Sequence, residues 1–343
     1  MTAAETFKTV GVIGGAGYVG SVLVPALLDR GHAVQVFDIC FFGRDSLAAV
    51  REHPRLSETA GDVRDTDAVK RFAEGCDAII HLACISNDPS AELDPDFTRA
   101  INYDSFSPTV KACRAAGVRR FIFASSGSVY GVSDAPEVTE EHPLVPVSLY
   151  NKFKAMCEPV LLAEQTADFV PVIIRPATIC GVSPRQRLDL TVNILTNHAV
   201  HNGKITVFGG AQKRPNMHIS DMVDLYCLLL DLPDEPIAGE IFNAGWENHT
   251  VDEIAEVIRE VVAAEYPDRP PIEIVHTPSD DPRSYHICSR KISAQLGFEP
   301  SRTIRDGARD LVNAFTAGRL PDSLTDPRYF NVKWMKQRTA VAT

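Results

Sequence analysis

The chain has 343 residues, 45% hydrophobic and 23% charged, an ordinary globular composition that is long enough for one large or two intimate domains. Its net charge of −11 argues against a nucleic-acid or anionic-membrane surface, so any anionic ligand must be held by a few placed cations. No run approaches the roughly 18 apolar residues of a membrane helix, the N-terminus lacks a signal-peptide layout, and the eight cysteines show neither a CxxC pair nor metal spacing, so a cytoplasmic, metal-free protein is expected.

Thr9–Ile13 is a short apolar, β-branched run, the pattern of a buried parallel strand. Gly14, Gly17 and Gly20 follow at three-residue spacing, and Ser21 to Leu28 reads as an apolar helix. Gly14 permits a tight turn, Gly17 lets a pyrophosphate approach the backbone and helix N-terminus, and Gly20 allows helix to pack on strand. His32–Phe37 is a second strand ending on Asp38, near the ~20-residue offset expected of a ribose-binding acid. A dinucleotide site is the expectation.

Residues 55–62 read as a third strand. Asp62, followed by Val63, could accept an adenine amino group or cap the helix expected over Thr66–Glu74. Asp77–Ala83 is a fourth, apolar strand whose C-terminal end, Leu82–Ala83, belongs on the ligand side of the sheet, with Ser86, Asn87 and Asp88 on the loop above. Phe97 to Ala116 has helical periodicity and contains Asn102, and Arg119–Ser125 is the next strand. This alternation predicts an α/β fold with a doubly wound parallel (Rossmann) sheet.

Composition changes after Val170–Pro176. Lys204–Phe208 and a Gly-Gly turn come next, and then Arg214–Asp221 leads into an apolar helix ending near Leu232. Gly239–Gly245 reads as a strand, and Thr250 opens a helix with a capping box to Glu253. The rest reads as strand Ile272–His276, helices Ser289–Leu296 and Thr303–Gly318, and a tail, Asp326–Met335, aromatic and basic enough to pack down. Without strict alternation, this part is expected to form a smaller substrate cap. The expected division is residues 1–179 and 213–245 for the dinucleotide domain, and 180–212 and 246–343 for the cap.

Two stretches carry the chemistry: Phe123–Gly131 at a strand end, and Tyr150-Asn-Lys-Phe-Lys154 at the start of a helix running to about Glu164. Residues four apart on a helix share a face, so Tyr150 and Lys154 project together. A phenol with reference pKa ~10 is a poor base at neutral pH, and a nearby ammonium with a positive nicotinamide ring would favour its phenolate. A strand-end hydroxyl such as Ser126 could hydrogen-bond the substrate oxygen that loses the proton.

With these motifs the chain resembles an extended short-chain dehydrogenase/reductase of the nucleotide-sugar epimerase/dehydratase family, over roughly residues 8–315. The matching residues are Gly14 to Gly20, Asp38, Asp62–Val63, His81–Ala83, Ser125–Ser126, Tyr130–Gly131, Tyr150 with Lys154, Arg175–Pro176 and Arg214–Asp221. The resemblance implies NAD held by Gly14, Gly17, Tyr18, Val19, Asp38, Asp62, Val63, Leu82, Ala83, Tyr150 and Lys154. It also implies a nucleoside-diphosphate sugar under the cap, with Ser86, Asn87, Ser126, Ser128, Thr178 and Asn193 against the sugar side. Tyr150 would be the general base, Lys154 would bind the nicotinamide ribose and tune Tyr150, and Ser126 would hold the sugar hydroxyl. Arg214 would grip the diphosphate, with Arg283 as a second candidate, since guanidinium forks suit diphosphates. A homodimer through the helices around residues 97–116 and 150–164 is implied as well.

Departures from the family pattern narrow the reaction. Members that eliminate water usually carry an acidic pair right after the catalytic hydroxyl, where this chain has Gly127 and Ser128. Thr178 stands where many members have an asparagine, and Cys84, Ser86 and Asn87 replace commoner residues near the sugar. The leading expectation is oxidation of a ring carbinol at C4 by NAD, as a 4-epimerase. A 4-dehydrogenase or 4-ketoreductase with net redox change is the alternative, ahead of a 4,6-dehydratase. A steroid or flavonoid alcohol dehydrogenase needs no arginines like 185, 187 and 214, and a non-catalytic redox sensor would not need both Tyr150 and Lys154.

Overall fold

The apolar run Thr9–Ile13 forms β1, buried from Val10 onward, in the computed structural model, which describes residues 7–278 and 284–341. It is followed by α1 (Gly20–Asp29), β2 (Ala33–Asp38), β3 (Leu56–Ala60), α2 (Thr66–Ala73) and β4 (Ala78–His81). Next come α3 (Asp88–Ala91), α4 (Pro95–Arg99), α5 (Phe106–Ala115), β5 (Arg120–Ala124), α6 (Leu149–Leu162) and β6 (Val170–Pro176). The chain continues with β7 (Thr178–Cys180), α7 (Thr191–Asn202), β8 (Lys204–Phe208), β9 (Lys213–His218), α8 (Ile219–Asp231) and β10 (Ile241–Ala244). It closes with β11 (Glu247–Thr250), α9 (Val251–Glu265), β12 (Glu273–Thr277), α10 (Arg290–Leu296), α11 (Ile304–Thr316) and α12 (Asn331–Val341).

Among the described residues, seven strands form one sheet of order β10-β6-β5-β4-β1-β2-β3. The pairs β1–β2, β2–β3, β1–β4, β4–β5 and β5–β6 are parallel, as the strand–helix alternation requires. The order reverses between β1 and β4, and such a switch point opens a crevice at the C-terminal strand ends. There the Leu82 and Ala83 N–H groups both donate to the Ile13 carbonyl, at 2.8 and 3.0 Å. The glycine turn after β1 and the end of β4 are thereby tied together.

Two compact units emerge. The first contains the described residues up to 129, with 146–175 and 223–242. Its core combines the aromatic residues Phe37, Phe72, Phe121, Phe123 and Phe169 with aliphatic residues of the strands and helices. The second contains 130–145, 176–222 and the described residues from 243 on, so segments 130–145, 176–179, 213–222 and 243–245 fall on its side. Its core lies among α7, α9 and α11, with Leu195, Ile258 and Leu311 fully or almost fully buried. Two small sheets, β11-β9-β7 and β12-β8, belong to it.

Local differences from the sequence reading have physical causes. The single helix expected over Phe97–Ala116 is split by a π-helical turn at Ala100–Asp104, which aims the Asn102 amide at the loop after β4. Arg214–His218, read as a lead-in to a helix, lies within β9, between β11 and β7. Thr250 and Glu253 form the expected capping box, and Thr303 with Asp306 forms a second one. In the tail, Phe330 and Met335 are buried, so it packs down as expected.

Arg120 is a strand residue only 2% exposed. Its guanidinium donates to the Leu229 and Leu232 carbonyls at 2.6 and 2.8 Å and to Asp234 at 2.5 Å, and Arg119 joins Asp234 at 2.9 Å. The carbonyls at a helix C-terminus lack intrahelical partners, and a cation there is favourable. Replacing Arg120 by Ala should therefore lower the unfolding free energy by about 3 kcal/mol, since those acceptors lose a buried donor. Urea denaturation reads this out, and an unshifted midpoint would contradict it. Burial raises the Asp234 pKa, but the hydrogen bonds from Arg120 and Arg119 outweigh it and hold the carboxyl below its usual value. This contribution to stability is accordingly complete above the unfolded-state pKa of about 3.9 and is lost as pH falls through the lower folded value.

Candidate active site

The glycine turn is built by close approach. Gly14 has φ +86°, and a Cβ there would lie 2.6 Å from the Ala83 nitrogen. At Gly20 a Cβ would lie 2.6 Å from the Gly15 carbonyl oxygen, so α1 can seat against the turn only without a side chain. At Gly17, by contrast, it would meet only the Gly14 carbonyl oxygen, at 3.2 Å, among the described residues. That leaves one face of the turn open to a ligand. Val19 caps α1 without a side-chain hydrogen bond, and its first turn carries no acidic residue, so the positive helix end suits an anion. Tyr18 beside it is nearly buried. These features fit a dinucleotide.

Asp38 ends β2 and holds the same turn. Its carboxylate accepts the Ala16 N–H at 3.0 Å and the Cys40 N–H at 2.7 Å, and Cys40 takes a positive φ of 54° to make the second bond. Asp62 is clamped on both oxygens by Arg64, at 2.6 to 3.0 Å. Burial raises the Asp62 pKa, but the Arg64 hydrogen bonds win and keep the carboxyl below its usual value. It does not cap α2. Asp65 does, accepting the Ala68 N–H at 2.9 Å, because it stands immediately before the first helical residue. Val63 is buried, and Leu82 and Ala83 line the end of β4.

Ser148 caps α6, which places Tyr150 in the first turn and Lys154 one turn later. Tyr150 is half-buried, whereas Lys154 is 3% exposed. The Lys154 ammonium donates to the Ala124 carbonyl at 2.5 Å, at the end of β5, and lies 4.7 Å from the Phe123 ring centre and 6.0 Å from that of Tyr150. A buried ammonium needs such compensation, here from a carbonyl and two aromatic faces. His81 is enclosed by Phe106, Phe121 and Phe123. Burial, with the Lys154 charge adding to it, pushes its pKa down to about 3, so it is neutral and no second cation arises there.

A further turn along the same helix face is Glu158, which sequence reasoning missed although the i, i+4 spacing from Lys154 pointed to it. Glu158 is buried and accepts Ser125 Oγ at 2.5 Å and Arg175 Nε and Nη2 at 3.0 and 2.6 Å. That triad fixes the backbone on which Ser126 is carried. Ser126 Oγ lies 2.7 Å from Ser128 Oγ, and Ser128 bonds Asn151, another residue the sequence reading passed over. On the loop after β4, Asn87 caps the short α3 by accepting the Ser90 N–H at 2.9 Å, and Ser86 is half-buried beside it.

The second unit holds the remaining candidates. Thr178 starts β7 and is half-buried. Arg214 lies in β9, 9% exposed, donating to the Lys213 carbonyl at 2.9 Å, with the Tyr285 ring 5.8 Å away. Asn193 needs correction: it is fully buried, and its amide accepts the Gly181 N–H and donates to the Arg187 carbonyl, at 3.1 and 2.8 Å. It clasps a loop rather than facing a substrate. Arg185 and Arg187 also serve the interior, bonding Asn331 at 2.6 Å and Asp189 at 2.9 Å, which anchors the C-terminal tail. Arg283 lies outside the described residues.

Among the described residues no helix is long and apolar enough to cross a membrane, and no group of three or more His, Cys, Asp or Glu could hold a metal. The family model described as "NAD dependent epimerase/dehydratase family" matches residues 10–245. A UDP-glucose 4-epimerase from Lactobacillus helveticus is 27% identical over 308 residues, covering 84% of this chain and 91% of that protein. A dTDP-glucose 4,6-dehydratase from Streptomyces griseus is 28% identical over 306 residues, covering 86% and 90%. A solved dTDP-glucose 4,6-dehydratase from Streptomyces venezuelae, with NAD bound, matches at TM-score 0.81 and 26% identity over 93% of this chain and 99% of its own. With the glycine turn at the switch point and the Tyr150–Lys154 pair at the strand ends, the chain belongs to the NAD dependent epimerase/dehydratase family and is an NAD-dependent enzyme of the short-chain dehydrogenase/reductase type.

Proposed function

We propose that the chain oxidises the C4 carbinol of a nucleoside-diphosphate sugar and works as a 4-epimerase, with the first unit holding NAD and the second the sugar nucleotide. The observation that carries this reading is Lys154, a buried ammonium held between the β5 carbonyl end and the Tyr150 ring. Its charge, together with the N-terminal turn of α6, favours Tyr150 as phenolate, the form a general base requires. Gly14, Gly17, Tyr18 and Val19 would hold the pyrophosphate, Asp38 the adenosine ribose, Asp62 and Val63 the adenine, and Leu82 and Ala83 the strand-end edge of the dinucleotide. When bound, the nicotinamide would take up the C4 hydride and, once reduced, supply it back to the other face of the ketone. Tyr150 takes the C4 hydroxyl proton while Ser126 hydrogen-bonds the same oxygen, and Tyr150 returns a proton once the ketone has presented its other face. Relatives named for UDP-glucose and dTDP-glucose support the substrate class, with Arg214 as the diphosphate cation and Thr178 as a sugar contact.

Elimination of water is disfavoured by the two residues after Ser126. Gly127 has no proton to transfer, and the Ser128 hydroxyl is a weak acid and base at neutral pH. Incubation with UDP-, GDP-, dTDP-, CDP- and ADP-glucose, then mass spectrometry and C4 stereochemical analysis, should give one product of unchanged mass with C4 inverted. Loss of two hydrogens would identify a dehydrogenase instead, and loss of one water would refute the reading.

Tyr150→Phe should reduce turnover by at least about a hundredfold, the usual worth of a general base, while NAD affinity stays near wild type. A Phe variant that keeps a third or so of the activity would remove Tyr150 from the mechanism.

Cofactor preference tests Asp38. Its carboxylate accepts ribose hydroxyls but repels a 2′-phosphate, so NAD should bind at least about a hundredfold more tightly than NADP. Asp38→Asn, which keeps an acceptor oxygen for the glycine turn, should shrink that gap to less than about tenfold. Equal wild-type Kd values in a fluorescence titration would exclude Asp38 from the ribose site.

A further inference from the structure

Ser126, Ser128 and Asn151 form a hydrogen-bonded chain that ends on the candidate catalytic hydroxyl. Ser126 Oγ lies 2.7 Å from Ser128 Oγ and accepts the Ser128 N–H at 3.2 Å. Ser128 Oγ in turn donates to the amide oxygen of Asn151. Asn151 is 1% exposed, comes directly after Tyr150 in the first turn of α6, and is fixed there by its own N–H, which donates to the Ser148 hydroxyl at 3.3 Å.

Proton counting gives this chain a direction. A serine hydroxyl has one proton to donate. With the amide oxygen facing Ser128, the Ser128 proton is committed to Asn151, and the Ser126 proton is the one left to bridge the two hydroxyls. Ser126 then offers a substrate only a lone pair. The same arrangement leaves Asn151 Nδ2 as a buried donor with no hydrogen-bond partner among the described residues. A buried unsatisfied donor is costly. A half-turn of the amide about its Cβ–Cγ bond exchanges the two atoms without moving the backbone. Nδ2 then donates to Ser128, Ser128 donates to Ser126, and the Ser126 proton is released toward the substrate oxygen.

We infer that Asn151 is a positioning residue: acting through Ser128, it turns the Ser126 hydroxyl into a hydrogen-bond donor to the substrate oxygen. This rests on the reading of Ser126 as the hydroxyl that faces the reacting carbinol. The gain comes in the redox step itself. As the carbinol loses its proton and becomes a carbonyl, its oxygen can only accept, and a run of donors aligned toward it stabilises that change. A chain pointing the other way would oppose it.

The test uses NAD-loaded wild type and variants assayed with UDP-, GDP-, dTDP-, CDP- and ADP-glucose. Asn151→Asp keeps the shape but, when ionised, presents only acceptors. Its kcat should fall about tenfold, the worth of one oriented hydrogen bond, with KM shifted less than about threefold. The ratio of variant to wild-type kcat should rise as pH is lowered and the introduced carboxyl gains a proton it can donate. Ser128→Ala should give a similar fall with no such pH dependence, and Ser128→Thr, which keeps the hydroxyl, should restore the rate. In the Ser128→Ala background, Asn151→Asp should have no further effect, because the chain is already cut. If the two losses multiply instead, Asn151 acts on its surroundings independently of Ser128 and the inference falls. Should Asn151→Asp not fold, judged by lost NAD affinity, equal rates for Ser128→Ala and Ser128→Thr overturn it on their own. A wild type inactive on every sugar nucleotide overturns the functional reading and this inference with it. An active wild type with unaffected variants overturns this inference alone.

Discussion

The placement of one buried ammonium organises the strand-end side of the first unit. Lys154 has almost no contact with solvent, yet it carries a charge whose partners are the Ala124 carbonyl and two aromatic rings. Isolated charges of this kind are expensive to bury, and the cost falls when each donor has an acceptor. Four residues on, Glu158 is buried with opposite sign, and its oxygens are taken by Arg175 and Ser125. Removing Glu158 or Arg175 would leave its partner as an uncompensated buried charge, which destabilises strongly. The result is that α6 and the ends of β5 and β6 are fixed in register, with Tyr150 at the top of the same helix face. The ionic interior of this unit therefore serves geometry.

The parallel sheet supplies the other constraint. All its C-terminal strand ends share one edge, so the glycine turn after β1, Leu82–Ala83 after β4 and Ser125–Ser126 after β5 are neighbours in the sheet's own order. The turn is held from three sides: by the Ala83 backbone, which leaves no room for a Cβ at Gly14, by Phe37, whose carbonyl accepts the Gly14 N–H at 2.8 Å, and by Asp38 through Ala16. Asn102 adds a fourth element. The π-helical turn at Ala100–Asp104 rotates its amide so that it both accepts from and donates to Ile85, at 2.8 and 3.0 Å, steadying the loop after β4. π-turns within helices are frequent at functional sites, and this one steadies the loop after β4.

Much of this was legible in the sequence, because much of it is local. Glycine spacing, apolar β-branched runs and the Thr250–Glu253 box express short-range sterics and hydrogen bonding, and each appears where the residues placed it. The features that escaped depend on which partner each polar side chain is committed to. Asp62 reads as a possible cap, but Asp65 directly precedes the helix and takes that role, while Arg64 captures Asp62. Asn193 looks polar enough to meet a sugar, but its depth in α7 and a loop twelve residues upstream, at Gly181, commit its amide. The arginines at 185 and 187 read as anion binders until Asn331 and Asp189 claim them from the tail and the neighbouring turn. Polar side chains advertise capacity, and only the fold decides who uses it.

The proposed reaction type rests on the same principle of commitment. A second acid or base near Ser126 would have to come from a carboxylate with an oxygen to spare. Glu158 has both oxygens engaged by Arg175 and Ser125, so drawing it into proton transfer would unpair a buried guanidinium. Asp88 accepts the Ser148 hydroxyl that caps α6, and protonating it would loosen the turn that carries Tyr150. Gly127 contributes nothing, and Ser128 is tied between Ser126 and Asn151. On the reading proposed above, Tyr150 in the first turn of α6 is the proton acceptor, and the Ser126 and Ser128 hydroxyls can donate hydrogen bonds but do not titrate near neutral pH. On that reading, hydride chemistry at a single carbon needs only Tyr150 and these hydroxyls beside the cofactor, whereas elimination needs a second titrating group, and Glu158 is already committed to Arg175 and Ser125.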